Sequence, residues 1–318
     1  MKNFLKISLV FLISFMILNV FSDDITATLS MENDSFISAG DNDYTHGTCL
    51  ELADGMWKYK LGQNMYAPAD LTKKEHIKGD RPYAGLIYGG VGAEFFANER
   101  IEKFLRRKVG FNDKDRVSFT HYAELDGGMI GPAAGCKATQ KFVHKVLGCK
   151  DPKGWGNQLH NEPILNAQWW TKMNWYPVDW FAIVPRSGVL AGNLQDAVEV
   201  GIDFKLGWNL QDDVGNQILL SATPQEKGGF WDKLSAWAFV GCDERYYLYN
   251  HILEGSMFNH RDDHLSVDIE PFVFEWRCGI AMKYGNFHAC YYAVFREKEF
   301  KHQKTRPDYG GISIGWTF

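Results

Sequence analysis

Period-two alternation is the feature of this chain that most restricts its fold. In the stretch "FHACYYAVF", Phe287, Ala289, Tyr291, Ala293 and Phe295 fall on one side, and His288, Cys290 and Tyr292 fall on the other. A strand sends successive side chains to opposite faces, so the pattern fits a sheet with one apolar and one polar face. Similar segments, separated by turn residues, occupy residues 25–33, 44–54, 57–66, 82–96, 114–126, 163–173, 179–191, 196–208, 234–247, 266–281, 287–298 and 308–318. That makes about twelve strands, each near the ~10 residues a tilted strand needs to cross a bilayer. An even strand number is what a closed bacterial barrel requires. The expected fold is all-β: a transmembrane antiparallel β-barrel of about twelve strands, as a single domain over residues 23–318.

The first residues support export. Lys2 and Lys6 precede an apolar run from Ile7 to Phe21, and Val20 and Ser22 suit the −3 and −1 positions of a cleavage site. Residues 1–22 therefore read as a signal peptide. Mean hydropathy is −0.29. That value does not separate a soluble β-sandwich from a membrane barrel, whose lipid-facing and lumen-facing residues average out. Two other features favour the barrel. The chain is 15% aromatic, with 11 Trp and 14 Tyr, which suits interfacial girdles. It also closes on "YGGISIGWTF", where Ile312, Ile314, Trp316 and Phe318 alternate with Ser313, Gly315 and Thr317. Such a final strand resembles the assembly signal of bacterial outer-membrane barrels.

Net charge is −5 at pH 7, with no basic cluster of the kind that binds nucleic acid. No CxxC occurs among Cys49, Cys136, Cys149, Cys242, Cys278 and Cys290, which argues against a zinc knuckle or redox motif. Cys278 and Cys290 flank a turn near Tyr284 almost symmetrically, so a bridge between facing strands is conceivable from spacing. The longer connections fall at about 67–81, 97–113, 127–162, 209–233 and 248–265, and in such barrels long loops usually face outward.

One stretch departs from the strand pattern. "ATQKFVHKVLG" (138–148) reads as a short loop helix, opened by Gly131-Pro132, stopped by Gly148 and barred by Pro152. Cys136, Gln140, Val143, His144 and Leu147 form one face. Lys137, Lys141 and Lys145 form a second stripe, and Phe142 and Val146 a third. A helix with apolar flanks and a polar pair between them packs on something, here the barrel wall at its rim or inside. On the first strand, alternation turns Glu32 and Asp34 to the interior; on the second, it turns Thr45 inward with Gly47 and Glu51. Asp80 and Arg81 could pair with each other.

Four motifs then occur in order: "MENDSF", "DYTHG", "GDRPYAG" and "GMIGPAAG…TQKFVHKVLG…PKGWGNQLHNEP". Together, over roughly residues 31–163, they resemble the outer-membrane lipid A 3′-O-deacylases, the LpxR family. The resemblance implies a twelve-stranded outer-membrane barrel whose active site lies at the extracellular rim, between wall and loop helix. It implies removal of the 3′-linked acyloxyacyl group of lipid A, with a mechanism similar to that of calcium-dependent phospholipases. By resemblance His144 matches the catalytic histidine, Gln140 its amide neighbour, Asn33 and Asp34 the first-strand pair, and Thr45 the second-strand hydroxyl. A family lysine falls on Lys73 or Lys74. Where a family example carries an acidic residue after the helix, this chain has Lys150, then Asp151.

The chemistry agrees with that resemblance. Ester hydrolysis needs a base that works near neutral pH, and imidazole at ~6.5 supplies one. A divalent cation such as calcium, held by Asp34, could steady the oxyanion. No GxSxG supplies a nucleophile elbow, so His144 is expected to activate water directly. Lys73, Lys74, Arg81, Lys137, Lys141 and Lys145 are candidates for contacts to the phosphates of lipopolysaccharide. The protein is expected to act as a monomer among outer-membrane lipids. The competing readings are an outer-membrane phospholipase using His46 or His121, a non-enzymatic porin or adhesin barrel, and a periplasmic sandwich.

Overall fold

The computed structural model describes residues 25–37, 43–97, 99–111, 115–212 and 229–318. The signal-peptide segment, 1–22, lies outside the described residues. Twelve strands close into one antiparallel barrel: β1 (Ile25–Asn33), β2 (Asp43–Asp54), β3 (Trp57–Ala67), β4 (Ala84–Phe96), β5 (Arg116–Ile130), β6 (Glu162–Val178), β7 (Phe181–Gly192), β8 (Gln195–Trp208), β9 (Leu234–Asn250), β10 (Phe272–Tyr284), β11 (Phe287–Arg296) and β12 (Tyr309–Thr317). Each strand pairs with its sequence neighbour, and β1 closes on β12 from Thr26↔Thr317 to Asn33↔Gly310. Closure leaves no open edge, which is what a strand protein needs inside a bilayer.

The alternation is realised as read. Ile312, Ile314, Trp316 and Phe318 are exposed on the outer face while Ser313 and Thr317 are buried in the lumen. The lumen is packed with paired charges. Arg277 reaches Asp203 at 2.7 Å and Asp243 at 3.0 Å, Arg186 reaches Asp243 and Glu199, and Arg296 reaches Glu275 at 2.8 Å. Near the other end Lys60 pairs with Glu124, and Lys58 with Glu51 and Glu94.

Strand parity sorts the connections into two ends. Residues 34–42, 68–83, 131–161, 193–194, 251–271 and 297–308 join strands at one end, and 55–56, 97–115, 179–180, 209–233 and 285–286 at the other. Two of the long connections, 97–115 and 209–233, therefore share the end of the tight turns and not that of the other long loops. The first contains a helix the strand reading overlooked, α1 (Glu99–Val109). Its signal is electrostatic: Glu99 and Glu102 in the first turn and Arg106, Arg107 and Lys108 in the last complement the helix dipole. The expected loop helix is α2 (Cys136–Leu147). Single helical turns follow at α3 (Phe230–Lys233) and α4 (His251–Glu254).

Cys278 and Cys290 are not a pair. Cys278 sits opposite Ala293, and Cys290 opposite Ala281. Three rungs at ~3.3 Å each separate them along the strands, beyond the ~7 Å limit for a bridge. They also point to opposite faces, since an odd offset reverses parity. All six cysteines are free.

Candidate active site on the outer wall

The residues singled out on β1, β2 and α2 do converge, on the outside of the barrel. Asn33, Asp34, Thr45, His46, Met65, Gln140 and His144 line one cleft of about 510 Å³, together with Asp70, Leu71 and Thr72 of the 68–83 loop. Parity fixes its position. On β3, Lys58 and Lys60 turn into the lumen to meet their carboxylates, so Met65 and Gln63 turn outward. Asn33, His46 and Met65 are successive cross-strand partners on that outward face.

Two side chains expected in the lumen, those of Asp34 and Thr45, lie at the cleft instead. Glu32 does face the lumen, accepting hydrogen bonds from Tyr44 and Tyr292. Asp34 leaves the strand in a 3-10 turn (Asp34–Phe36), capped by Asn33 accepting from the Ser35 amide at 2.8 Å. It is buried at the cleft and not in the lumen. Thr45 is skipped in the β2–β3 ladder, where the register shifts between Tyr44 and His46. A bulge adds one residue and re-aims a side chain. Thus Tyr44 stays in the lumen, and Thr45 joins His46 at the cleft.

Helix α2 is held on this wall by close contacts. Cys136 rests on Gly85, where an added Cβ would come within 2.7 Å of the Cys136 Cβ. Gln63 Nε2 donates to the Ala134 carbonyl at 2.6 Å. Met65, Ala67, Leu71, Tyr83, Ala134 and Trp155 complete the apolar seat, and burial pushes the Cys136 thiol up to about 12. Gly85→Val should force α2 outward while leaving the ladder intact. A displacement of about 1 Å can cost ~10²-fold in rate, so activity should fall steeply while heat-modifiable migration of the barrel is retained. An unchanged rate would mean that this seat does not position the site.

The fixed orientation of the polar pair has a local cause. Gly148 adopts φ 72°, a left-handed cap that reverses the chain, and its amide and that of Cys149 return to the His144 carbonyl. The reversal brings the Lys150 carbonyl to His144 Nδ1 at 2.5 Å. A carbonyl only accepts, so Nδ1 carries the proton and Nε2 the lone pair of the neutral ring. One turn earlier, Trp155 Nε1 donates to Gln140 Oε1 at 2.7 Å. Since indole only donates, this fixes the amide orientation. Gln140 Nε2 and Thr45 Oγ1 are then buried polar atoms at the cleft with no partner among the described residues.

The expected cationic residues are more scattered. Arg81 is buried in the barrel mouth, where it meets Glu299 at 3.2 Å and Asp43 at 3.7 Å and lies over the Tyr66 ring; it does not line the cleft. Its guanidinium does not turn to Asp80, whose carboxylate accepts from the Ala69 and Arg81 amides. Lys73, Lys74, Lys137 and Lys145 are exposed around the cleft, and Lys141 meets Asp151 at 3.6 Å. Asp70, at the cleft, is held below the usual carboxylate range by the Thr72 hydrogen bonds and by the charges of Lys73 and Lys150. Trp155 and the Lys150 carbonyl were not foreseen. His121 lies elsewhere, bonded to Thr171 at 3.0 Å and packed with Phe95 and Trp169 near the tight-turn end.

The site and fold together define a membrane barrel with a polar, histidine-bearing cleft on the outer face of its wall. The family described as "Outer membrane protein LpxR" matches residues 50–318, and the chain belongs to that family. Among solved structures, LpxR from Salmonella typhimurium is similar at TM-score 0.74 and 20% identity, over 92% of this chain and 100% of that one. A KdgM porin follows at TM-score 0.42 and 7% identity, over 92% and 99%. The translocator domain of autotransporter NalP from Neisseria meningitidis is at TM-score 0.38 and 9% identity, over 93% and 89%. Comparison with curated proteins gave no match.

Proposed function

We propose that this protein is a lipid A 3′-O-deacylase, hydrolysing the 3′-linked acyloxyacyl ester in the outer leaflet of the outer membrane. Family membership supports the general class, an outer-membrane lipid A deacylase. The finer reading rests chiefly on one observation: the cleft holding His144 opens on the outer face of the wall and not into the lumen. An ester carbonyl of a membrane lipid can reach it sideways without leaving the bilayer. The packed lumen, by contrast, gives no support to a porin.

In this reading a water attacks the ester carbonyl carbon while His144 Nε2 takes its proton. Breaking of the C–O bond sends that proton to the departing 3′ alkoxide, giving a free acyloxyacyl acid and a 3′-hydroxyl. The Lys150 carbonyl keeps the imidazole in the required tautomer and steadies it when charged. The Gln140 amide, held by Trp155, offers its N–H to the oxyanion as charge develops.

The residues fit a hard, oxygen-preferring cation. The Asp34 carboxylate and the unpartnered Thr45 hydroxyl are oxygen donors that line the cleft together. Calcium, when bound, would supply positive charge for the oxyanion. Asp34→Ala should raise the calcium concentration needed for half-maximal activity, and calorimetric calcium binding to the purified barrel should weaken in parallel. Unchanged binding would assign Asp34 a structural role.

Mass spectrometry of lipid A after co-expression tests the function. The expected product lacks the 3′ acyloxyacyl group. Unaltered lipid A, with hydrolysis of phosphatidylethanolamine in its place, would overturn the assignment.

A further inference from the structure

Helix α1 carries an apolar edge that the barrel leaves uncovered. None of its residues is buried, and Ile101 and Phe104 are 45% and 51% exposed. On a helix Ile101, Phe104 and Leu105 fall together, and Arg100, Lys103 and Arg107 take the adjoining face. Arg106 fixes the orientation. Its guanidinium donates to the Asp115 carbonyl at 2.9 Å and the Val117 carbonyl at 2.6 Å, so its side of the helix faces β5. At 100° per residue, Ile101 and Phe104 lie roughly opposite and face away from the barrel.

The depth of the helix is set by its flanks. Phe96, just before it, is 61% exposed, and Phe111, just after it, packs on Trp175 with ring centroids 5.2 Å apart. Trp57, Trp180, Trp208 and Trp316 are exposed at the same end of the barrel. Such a belt marks the level of lipid headgroups.

We propose that α1 is an interfacial anchor that docks on the phospholipid leaflet bordering the tight-turn end. Its apolar edge enters the upper acyl region, and Arg100, Lys103, Arg107 and Lys108 bind phosphates of anionic headgroups. Charge complementarity selects this occupant. The chain is −5 overall, yet this helix carries five basic side chains against two acidic ones. Helices with a narrow apolar face and a basic polar face lie in such interfaces. Lys108 lies within the apolar arc, 5.7 Å from the Phe104 ring centre. That suits a lysine snorkelling to phosphate, whereas the centre of a protein interface is depleted in lysine.

The test uses the full chain in bilayer discs of phosphatidylethanolamine with phosphatidylglycerol. A photoreactive benzoylphenylalanine in place of Phe104 should crosslink to phospholipid, and the same probe at Lys103 far less. Native mass spectrometry should show phosphatidylglycerol enriched on the wild-type chain. Each substitution among Arg100→Gln, Lys103→Gln, Arg107→Gln and Lys108→Gln should cut that excess by up to about fivefold. Heat-modifiable migration checks that every variant is folded. Crosslinking at 104 to a protein or to nothing, or undiminished phosphatidylglycerol enrichment when all four substitutions are combined in one chain, would overturn the proposal.

Discussion

Replacement of His144 by alanine should abolish measurable deacylation while the barrel assembles normally. The expected loss is ~10²–10⁴-fold, the usual contribution of a general base, or about 3–5 kcal/mol of transition-state stabilisation. Retained folding follows from where the residue sits. Its helix belongs to the 131–161 connection and packs on the outside of a ladder that closes without it. The decisive measurement pairs lipid A turnover with heat-modifiable migration of the same preparation. A His144→Ala protein that is folded and active would remove the imidazole from the mechanism, and one that fails to fold would give α2 a role in assembly. On the proposal that calcium binds through Asp34, His144→Ala should leave that binding nearly intact, which separates it from Asp34→Ala.

Arg277→Ala should be the most damaging single change to the barrel itself. Its guanidinium binds both oxygens of Asp203 at 2.7–2.8 Å and reaches Asp243 at 3.0 Å, all within the lumen. Removing the cation leaves two buried carboxylates with Arg186 as their remaining close arginine. Breaking a buried ion pair in this way costs about 3–5 kcal/mol. The midpoint of urea unfolding in detergent micelles should fall accordingly. The double variant Arg277→Met, Asp203→Leu should recover much of the loss, because uncharged neighbours of similar volume need no partner. A shift no larger than the ~0.5 kcal/mol of an ordinary surface change would show that the lumen network is redundant.

The fold was legible where alternation ran unbroken. The segment from Phe287 to Phe295 and the final strand from Tyr309 presented their faces as the sequence reading required, because a period of two leaves one choice per strand. It failed where a single extra residue intervened. At Thr45 the bulge reversed the expected face, and nothing in the residue types of "DYTHG" announces it. For Cys278 and Cys290 the cause is arithmetic. The turn centres on Gly285-Asn286 and not on Tyr284, and that small displacement of the centre becomes three rungs of register. At the site, Gln140 and His144 were readable because helical spacing puts them on one face. The Lys150 carbonyl that fixes the imidazole has no residue-type signature, since any residue there could supply it. Arg81 looked like a binding residue because a lone arginine in a loop motif carries no sign of its partners, which lie more than two hundred residues away at Glu299 and on β2 at Asp43.

The placement of the cleft on the outer wall changes what concentration means for this protein. If the cleft takes lipid A as proposed, the substrate arrives by lateral diffusion in two dimensions, so the quantity that governs encounter is the mole fraction of lipid A in the surface, not its amount per litre. Diluting lipid A with inert amphiphile at constant bulk content should slow turnover, while adding buffer should not. A soluble ester that reaches the cleft only from water would show the reverse dependence, which makes the barrel's geometry visible in a rate measurement without any structural probe.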